Sequence, residues 1–152
     1  MIEAGTRAPD FTLEDQDQNE VSLSDFAGTK LVIAFYPADF SSVCTAQLSI
    51  YQEVIEEIEE RGAKLIGISV DSVFSHKALQ EELGLSIPLL SDFHPKGEVA
   101  RAYGALIEKR GHANRSLVLV DEDGTVAFSM APPTPLEIPG ANVIFDALEE
   151  TS

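Results

Sequence analysis

The sequence predicts an α/β protein built on a mixed β-sheet flanked by helices, and three features carry that reading. Two apolar, β-branched segments, KLVIAFY (30–36) and KLIGISV (64–70), are bounded by turn signals and read as strands buried on both faces. Between them, from about Ser42 to Arg61, Val43, Leu48, Tyr51, Val54, Ile55 and Ile58 recur at helical spacing, which makes a βαβ unit with a right-handed crossover. Farther on, SLVLVD (116–121) and TVAFSM (125–130) flank an EDG turn and predict an antiparallel hairpin. Parallel and antiparallel pairs in one chain require a mixed sheet.

Taken in order, the chain begins with strand-like FTL (11–13) and EVSL (20–23). Gly62 closes the long helix, and a shorter one, about Phe74 to Leu83, follows the second buried strand and stops at Gly84. IPLLSD (87–92) reads as a short strand and KGEVARAYG (96–104) as a helix ending at Gly104. After the hairpin, a proline-rich stretch from Pro132 to Pro139 leads to a last helix, about Ala141 to Glu150. A βαβ unit first and a hairpin plus helix last is the thioredoxin-like pattern, here with an N-terminal β extension. No repeat or linker divides the 152 residues, so a single domain over 1–152 is expected.

Composition narrows the function classes. Ten basic residues against 26 acidic ones give a net charge of −16, which repels phosphate backbones and anionic lipid headgroups and argues against nucleic acid and membrane partners. With 44% hydrophobic and 24% charged residues the chain can bury a real core. One cysteine, Cys44, excludes an intrachain disulfide, a CxxC pair and a multi-cysteine zinc site. The start, MIEAGTRAPDF, has neither the basic nor the apolar region of a secretory signal, and no apolar run reaches the length of a membrane span. A reducing, cytoplasmic setting is expected.

Cys44 falls just after a buried strand and inside the first turn of the long helix, where free N–H groups and the helix dipole favour a thiolate over a thiol. A buried structural cysteine is the ordinary alternative. The string Tyr36-Pro37-Ala38-Asp39-Phe40-Ser41-Ser42-Val43-Cys44-Thr45 resembles the active-site loop of the peroxiredoxins: proline, three residues, threonine or serine, two residues, then the reactive cysteine. APDFTL, GISVDS (67–72), PLLSD (88–92) and RSLVLVDEDGTV (115–126) resemble family segments in family order. The family's active-site arginine opens the last of these, and the matching residue is Arg115; Arg101 and Arg110 lack such a segment.

The resemblance implies a thiol-dependent peroxidase of thioredoxin-like fold. In it Cys44 attacks a hydroperoxide and becomes a sulfenic acid, and Ser41 hydrogen-bonds the peroxide. Pro37 shields the sulfur, Arg115 favours the thiolate and grips a peroxide oxygen, and the N–H groups of Val43 and Cys44 bind developing negative charge. No metal or organic cofactor is needed. Lacking a second cysteine, the chain resembles one-Cys peroxiredoxins, in particular the bacterial E-type alkyl hydroperoxide reductases, with an external thiol as reductant and a homodimer as the expected assembly. Gln47 departs from the glutamate common three residues after the cysteine, which puts the support given by that side chain in question. The alternative is a noncatalytic thioredoxin-fold sensor or interaction protein, which would not need Pro37, Ser41, Cys44 and Arg115 together.

Other signals are weaker. DQDQNE (15–20) imitates an EF-hand opening, but Glu20 and Phe26 occupy the positions of its glycine and closing glutamate, so a solvated turn is expected. Asp121, Glu122 and Asp123 read as a hairpin turn. His76, His94 and His112 show no metal spacing and are expected at the surface.

Overall fold

The computed structural model describes residues 1–152. Two short N-terminal strands, β1 (Thr12–Glu14) and β2 (Glu20–Ser22), pair antiparallel. Between them Asp15 Oδ1 accepts the N–H groups of Asp17 and Asn19, so DQDQNE is a self-bonded turn. Ser22 ends β2 and starts a 3₁₀ turn at Leu23–Phe26, its N–H donating to the Asp25 carboxylate at 2.9 Å.

Next come β3 (Lys30–Phe35), the helices α1 (Ser42–Glu53) and α2 (Ile55–Glu60), and β4 (Ala63–Ser69). The expected continuous helix from Ser42 to Arg61 is corrected here. At Val54, with φ −113° and ψ 11°, the chain leaves helical geometry, and the Val54 N–H turns to the Tyr51 and Gln52 carbonyls. Two adjacent β-branched residues, Val54 and Ile55, are poor at holding a helix there, and the break lets Ile55 and Ile58 both reach the core. Helix α3 (Val73–Leu83) is capped by Ser72, which accepts from the Ser75 N–H at 3.2 Å, and it ends at Gly84 in a left-handed conformation.

After α3 run β5 (Leu89–Ser91), α4 (Glu98–Ala102), β6 (Leu106–Ile107), β7 (His112–Ala113), β8 (Ser116–Val120), β9 (Val126–Met130) and α5 (Ala141–Glu150). The N–H groups of Val99 and Ala100 donate to the Asp92 carboxylate at 3.1 and 2.9 Å and start α4. Burial still holds the Asp92 carboxyl above the usual carboxylate range, the two N–H groups opposing it. The two-residue strands β6 and β7 form a separate antiparallel pair too short to leave a periodic signature in sequence.

The main sheet has seven strands in the order β2-β1-β5-β4-β3-β8-β9. β3 pairs parallel with β4 and antiparallel with β8, and β4 pairs parallel with β5. Alternation along β3 sorts the core into two layers. Val32, Ala34 and Tyr36 face one layer with Leu48 and Tyr51 of α1, Leu79 of α3 and Ile144 of α5. Leu31, Ile33 and Phe35 face the other, with Val99 and Tyr103. The sheet is therefore mixed and helix-covered with β1 and β2 as the N-terminal extension, as the sequence predicts.

Gly67 in β4 shows how tightly the first layer is packed. A Cβ added there would lie 3.0 Å from Leu89 Cδ2 and 3.2 Å from Tyr36 Cε1. Gly67→Ala is expected to cost about 1–3 kcal/mol by overpacking, read as a fall in Tm of about 2–4 °C for each kcal/mol.

The three histidines do not share a fate. His94 is exposed and His112 half-buried. His76 is fully buried, against the expectation of a surface position, because it shares the inward face of α3 with Val73 and Leu79.

Candidate active site

The register of β3 against β8 builds the site. Phe35, at the end of β3, pairs with Ser116, at the start of β8. The chain leaving β3 passes through Tyr36–Ser41 into α1, while Arg115 immediately precedes β8. Two residues 71 apart in sequence thus meet, and Arg115 Nη1 donates to Cys44 Sγ at 3.2 Å.

Ser41 is the N-cap of α1, in an extended conformation, and its Oγ accepts the Cys44 N–H at 3.2 Å. In this structure that bond occupies the Cys44 N–H, whereas no protein group accepts from the Val43 N–H. The Ser41 hydroxyl hydrogen is itself used by no protein acceptor, which leaves it available to a ligand.

Arg115 is held from three directions. Besides the sulfur, Nη1 donates to Gln47 Oε1 at 2.9 Å, and Nε donates to the Pro135 carbonyl at 2.9 Å. Gln47 lies one turn beyond Cys44, on the same face of α1, and its Nε2 donates to the Tyr51 hydroxyl at 3.2 Å. Tyr51 in turn donates to the Pro139 carbonyl at 2.6 Å; burial pushes its hydroxyl up to about 12, so it remains a donor at neutral pH. The amide therefore keeps a supporting role: it fixes the guanidinium and passes the constraint to the proline-rich segment. Spacing 44/47/51 on one helical face was the sequence signal for this chain of bonds.

The charge count around Arg115 bears on the chemistry. Its side chain is 4% exposed and no carboxylate lies within 4.0 Å of it. A lone buried guanidinium is costly, and the group in contact with it that can become an anion is the Cys44 sulfur. The rival arginines serve elsewhere. Arg101 makes an exposed fork with Glu108, and Arg110 lines the rim of the site without a bond to Cys44.

Pro37, Ser41, Val43, Ile107, Arg115 and Pro135 line a surface depression of about 460 Å³, which His112 also borders. Cys44 lies beneath it and is itself 0% exposed. A peroxide oxygen must displace the covering side chains to touch the sulfur.

Below the loop lies a second group of polar residues, to which the sequence reading gives no role. Tyr36 donates to Asp39 Oδ1 at 2.6 Å, and His76 Nδ1 stands 2.7 Å from Asp39 Oδ2. The Asp39 N–H donates to Asp71 Oδ2 at 2.8 Å, which also accepts from the Ser69 hydroxyl at 2.6 Å. Burial, and next the charge of Asp39, push the Tyr36 hydroxyl well above its ordinary range, so it stays a donor.

Comparison with known proteins agrees with this geometry. Residues 4–129 match the model of the AhpC/TSA family. Alkyl hydroperoxide reductase E of Mycobacterium tuberculosis is 38% identical over 130 residues, 85% of either chain. The chloroplastic 2-Cys peroxiredoxin BAS1 of Hordeum vulgare is 40% identical over 136 residues, 82% of this chain and 64% of that one. Among solved structures, AhpC of Enterococcus faecalis superposes with a TM-score of 0.90 at 29% identity, covering 99% of this chain and 92% of that one. Peroxidoxin BcpB of Mycobacterium tuberculosis gives 0.84 at 27% identity, with coverage of 98% and 96%. Sequence match, fold and the meeting of Cys44 with Arg115 lead to one assignment: the chain belongs to the AhpC/TSA family, the peroxiredoxins.

Proposed function

We propose that this peroxiredoxin reduces hydrogen peroxide and organic hydroperoxides through Cys44 and is recycled by an external thiol. The observation that carries the reading is the buried Arg115, without a carboxylate partner, 3.2 Å from the sulfur of the chain's single cysteine. The thiolate attacks the terminal oxygen of the peroxide, an S–O bond forms as the O–O bond breaks, and the leaving oxygen departs with the electron pair and takes up a proton as water or alcohol. Arg115 loosens from the sulfur and follows the negative charge onto the peroxide, and Ser41 and Val43, which line the same depression, offer a hydroxyl and an N–H to it. Pro37 lines the depression and has no N–H to offer water.

Cys44 is alone, which fits a one-Cys mechanism. An incoming thiol, from a thioredoxin- or glutaredoxin-type donor or a small molecule, attacks the sulfenic sulfur and expels water; a second thiol then releases the mixed disulfide. A reducing compartment supplies such thiols, and the cytoplasm is the setting we favour. The assembly we favour is a homodimer, with Phe40, Phe74 and Phe93 as its apolar contacts. They are 50%, 73% and 58% exposed and emerge from segments joined through Asp71.

The test is peroxide disappearance with and without a thiol. With dithiothreitol present, catalytic amounts of protein are expected to remove hydrogen peroxide and cumene hydroperoxide over many turnovers. Absence of any protein-dependent loss would overturn the function.

A further inference from the structure

The buried Tyr36–Asp39–His76 group lies outside the contacts made by Cys44, yet every bond in it bears on the loop that delivers the nucleophile. Asp39 sits two residues from both Pro37 and Ser41, and its backbone and side chain are both tied down from below. His76 supplies the tie to the opposite wall. Its Nε2 stands 3.0 Å from the Leu90 carbonyl at β5, which can only accept, so Nε2 carries a proton. Its Nδ1 stands 2.7 Å from Asp39 Oδ2, with both side chains 1% exposed or less, and two bare acceptors at that distance would repel. One further proton therefore lies between Nδ1 and Oδ2.

The surroundings say where that proton sits. Asp39 Oδ1 already accepts the Tyr36 hydroxyl. From the end of β4, Asp71 takes the Asp39 N–H and the Ser69 hydroxyl. From beyond β5, Asp92 directs its carboxylate at the N–H groups of α4. No lysine or arginine pairs with Asp39, and His76 is the one basic side chain against its carboxyl.

Building on the peroxidase reading, we propose that His76 is a positioning residue for the Cys44 reaction: as an imidazolium it bridges the Asp39 carboxylate and the Leu90 carbonyl, clamping the loop that carries Pro37 and Ser41 onto α3 and β5. The clamp sets the direction of the Ser41 side chain and keeps Cys44 covered. It acts through hydrogen bonds rather than through the charges of the pair, and one substitution separates the two. In Asp39→Asn the amide oxygen still accepts from Tyr36, and the amide N–H can donate to the Nδ1 of a neutral His76 that still donates from Nε2 to Leu90. Every bond survives with one proton and one negative charge fewer.

Three readouts on the full-length protein test this. Nitrogen-15 NMR of the histidine rings is expected to show both nitrogens of His76 protonated in the wild type and only Nε2 protonated in Asp39→Asn. The second-order rate with hydrogen peroxide is expected to fall at least tenfold in His76→Gln and Asp39→Ala but to stay within twofold in Asp39→Asn. Alkylation of Cys44 by iodoacetamide is expected to rise severalfold in the first two variants, as the sulfur is uncovered, and to stay at the wild-type rate in Asp39→Asn. A bare Nδ1 in the wild type, an unchanged peroxide rate in His76→Gln, or an equal loss in Asp39→Asn and Asp39→Ala would overturn the clamp. If the wild type fails to consume peroxide, the peroxidase reading falls, and the NMR and alkylation results judge the clamp by themselves.

Discussion

Replacing Arg115 with lysine is expected to slow peroxide reduction at least tenfold while the protein stays folded. The guanidinium makes three hydrogen bonds from two of its nitrogens, to Cys44 Sγ, Gln47 Oε1 and the Pro135 carbonyl. A lysine ammonium is a point donor that cannot span all three, so it keeps the charge but loses the fork that aims it. Tenfold corresponds to about 1.4 kcal/mol of transition-state stabilisation, about the value of a single well-placed charged hydrogen bond. Stopped-flow rates with hydrogen peroxide, paired with thermal melts, separate the catalytic effect from unfolding. An unaltered rate would mean that the guanidinium geometry plays no part in the reaction.

Changing Cys44 to serine is expected to abolish peroxide reduction altogether and also to lower stability. A serine hydroxyl is not ionised near neutral pH and offers no comparable nucleophile. It also removes the one side chain next to Arg115 that can carry a negative charge, leaving a 4% exposed guanidinium with only neutral acceptors. The expected loss is on the order of 1–3 kcal/mol, the range for a buried hydrogen bond to a charged group. A melt of the variant at wild-type temperature would show that the contact between Cys44 and Arg115 does not contribute to stability.

Much of the site could be read from local sequence because its parts are local. Pro37, Ser41 and Cys44 lie within eight residues, and the strand-to-helix junction that presents them follows from the apolar run 30–36 and the serine cap. Arg115 was found by resemblance of its segment; what brings it to Cys44 is the pairing of Phe35 with Ser116, a register that no local pattern states. Sequence places His76 at the surface because histidine is polar and its partner is 37 residues away, although its spacing with Val73 and Leu79 puts it on the buried face of α3. Gln47 looked like a lost carboxylate. Only the orientation of its amide, with oxygen toward Arg115 and nitrogen toward Tyr51, reveals a neutral support. The helix break at Val54 turns on competition between helix propensity and core packing, which a periodic pattern running unbroken from 42 to 61 conceals.

Single-turnover oxidation of the thiol-free, reduced protein tests the central claim most directly, with intact mass read alongside peroxide consumption. About one peroxide per chain should disappear before the reaction stalls, and the mass should rise by one oxygen atom that the Cys44→Ser protein does not gain, because the chain has no second cysteine to close a disulfide. Sustained consumption of peroxide without any thiol, or an equal gain of oxygen in the Cys44→Ser protein, would contradict it.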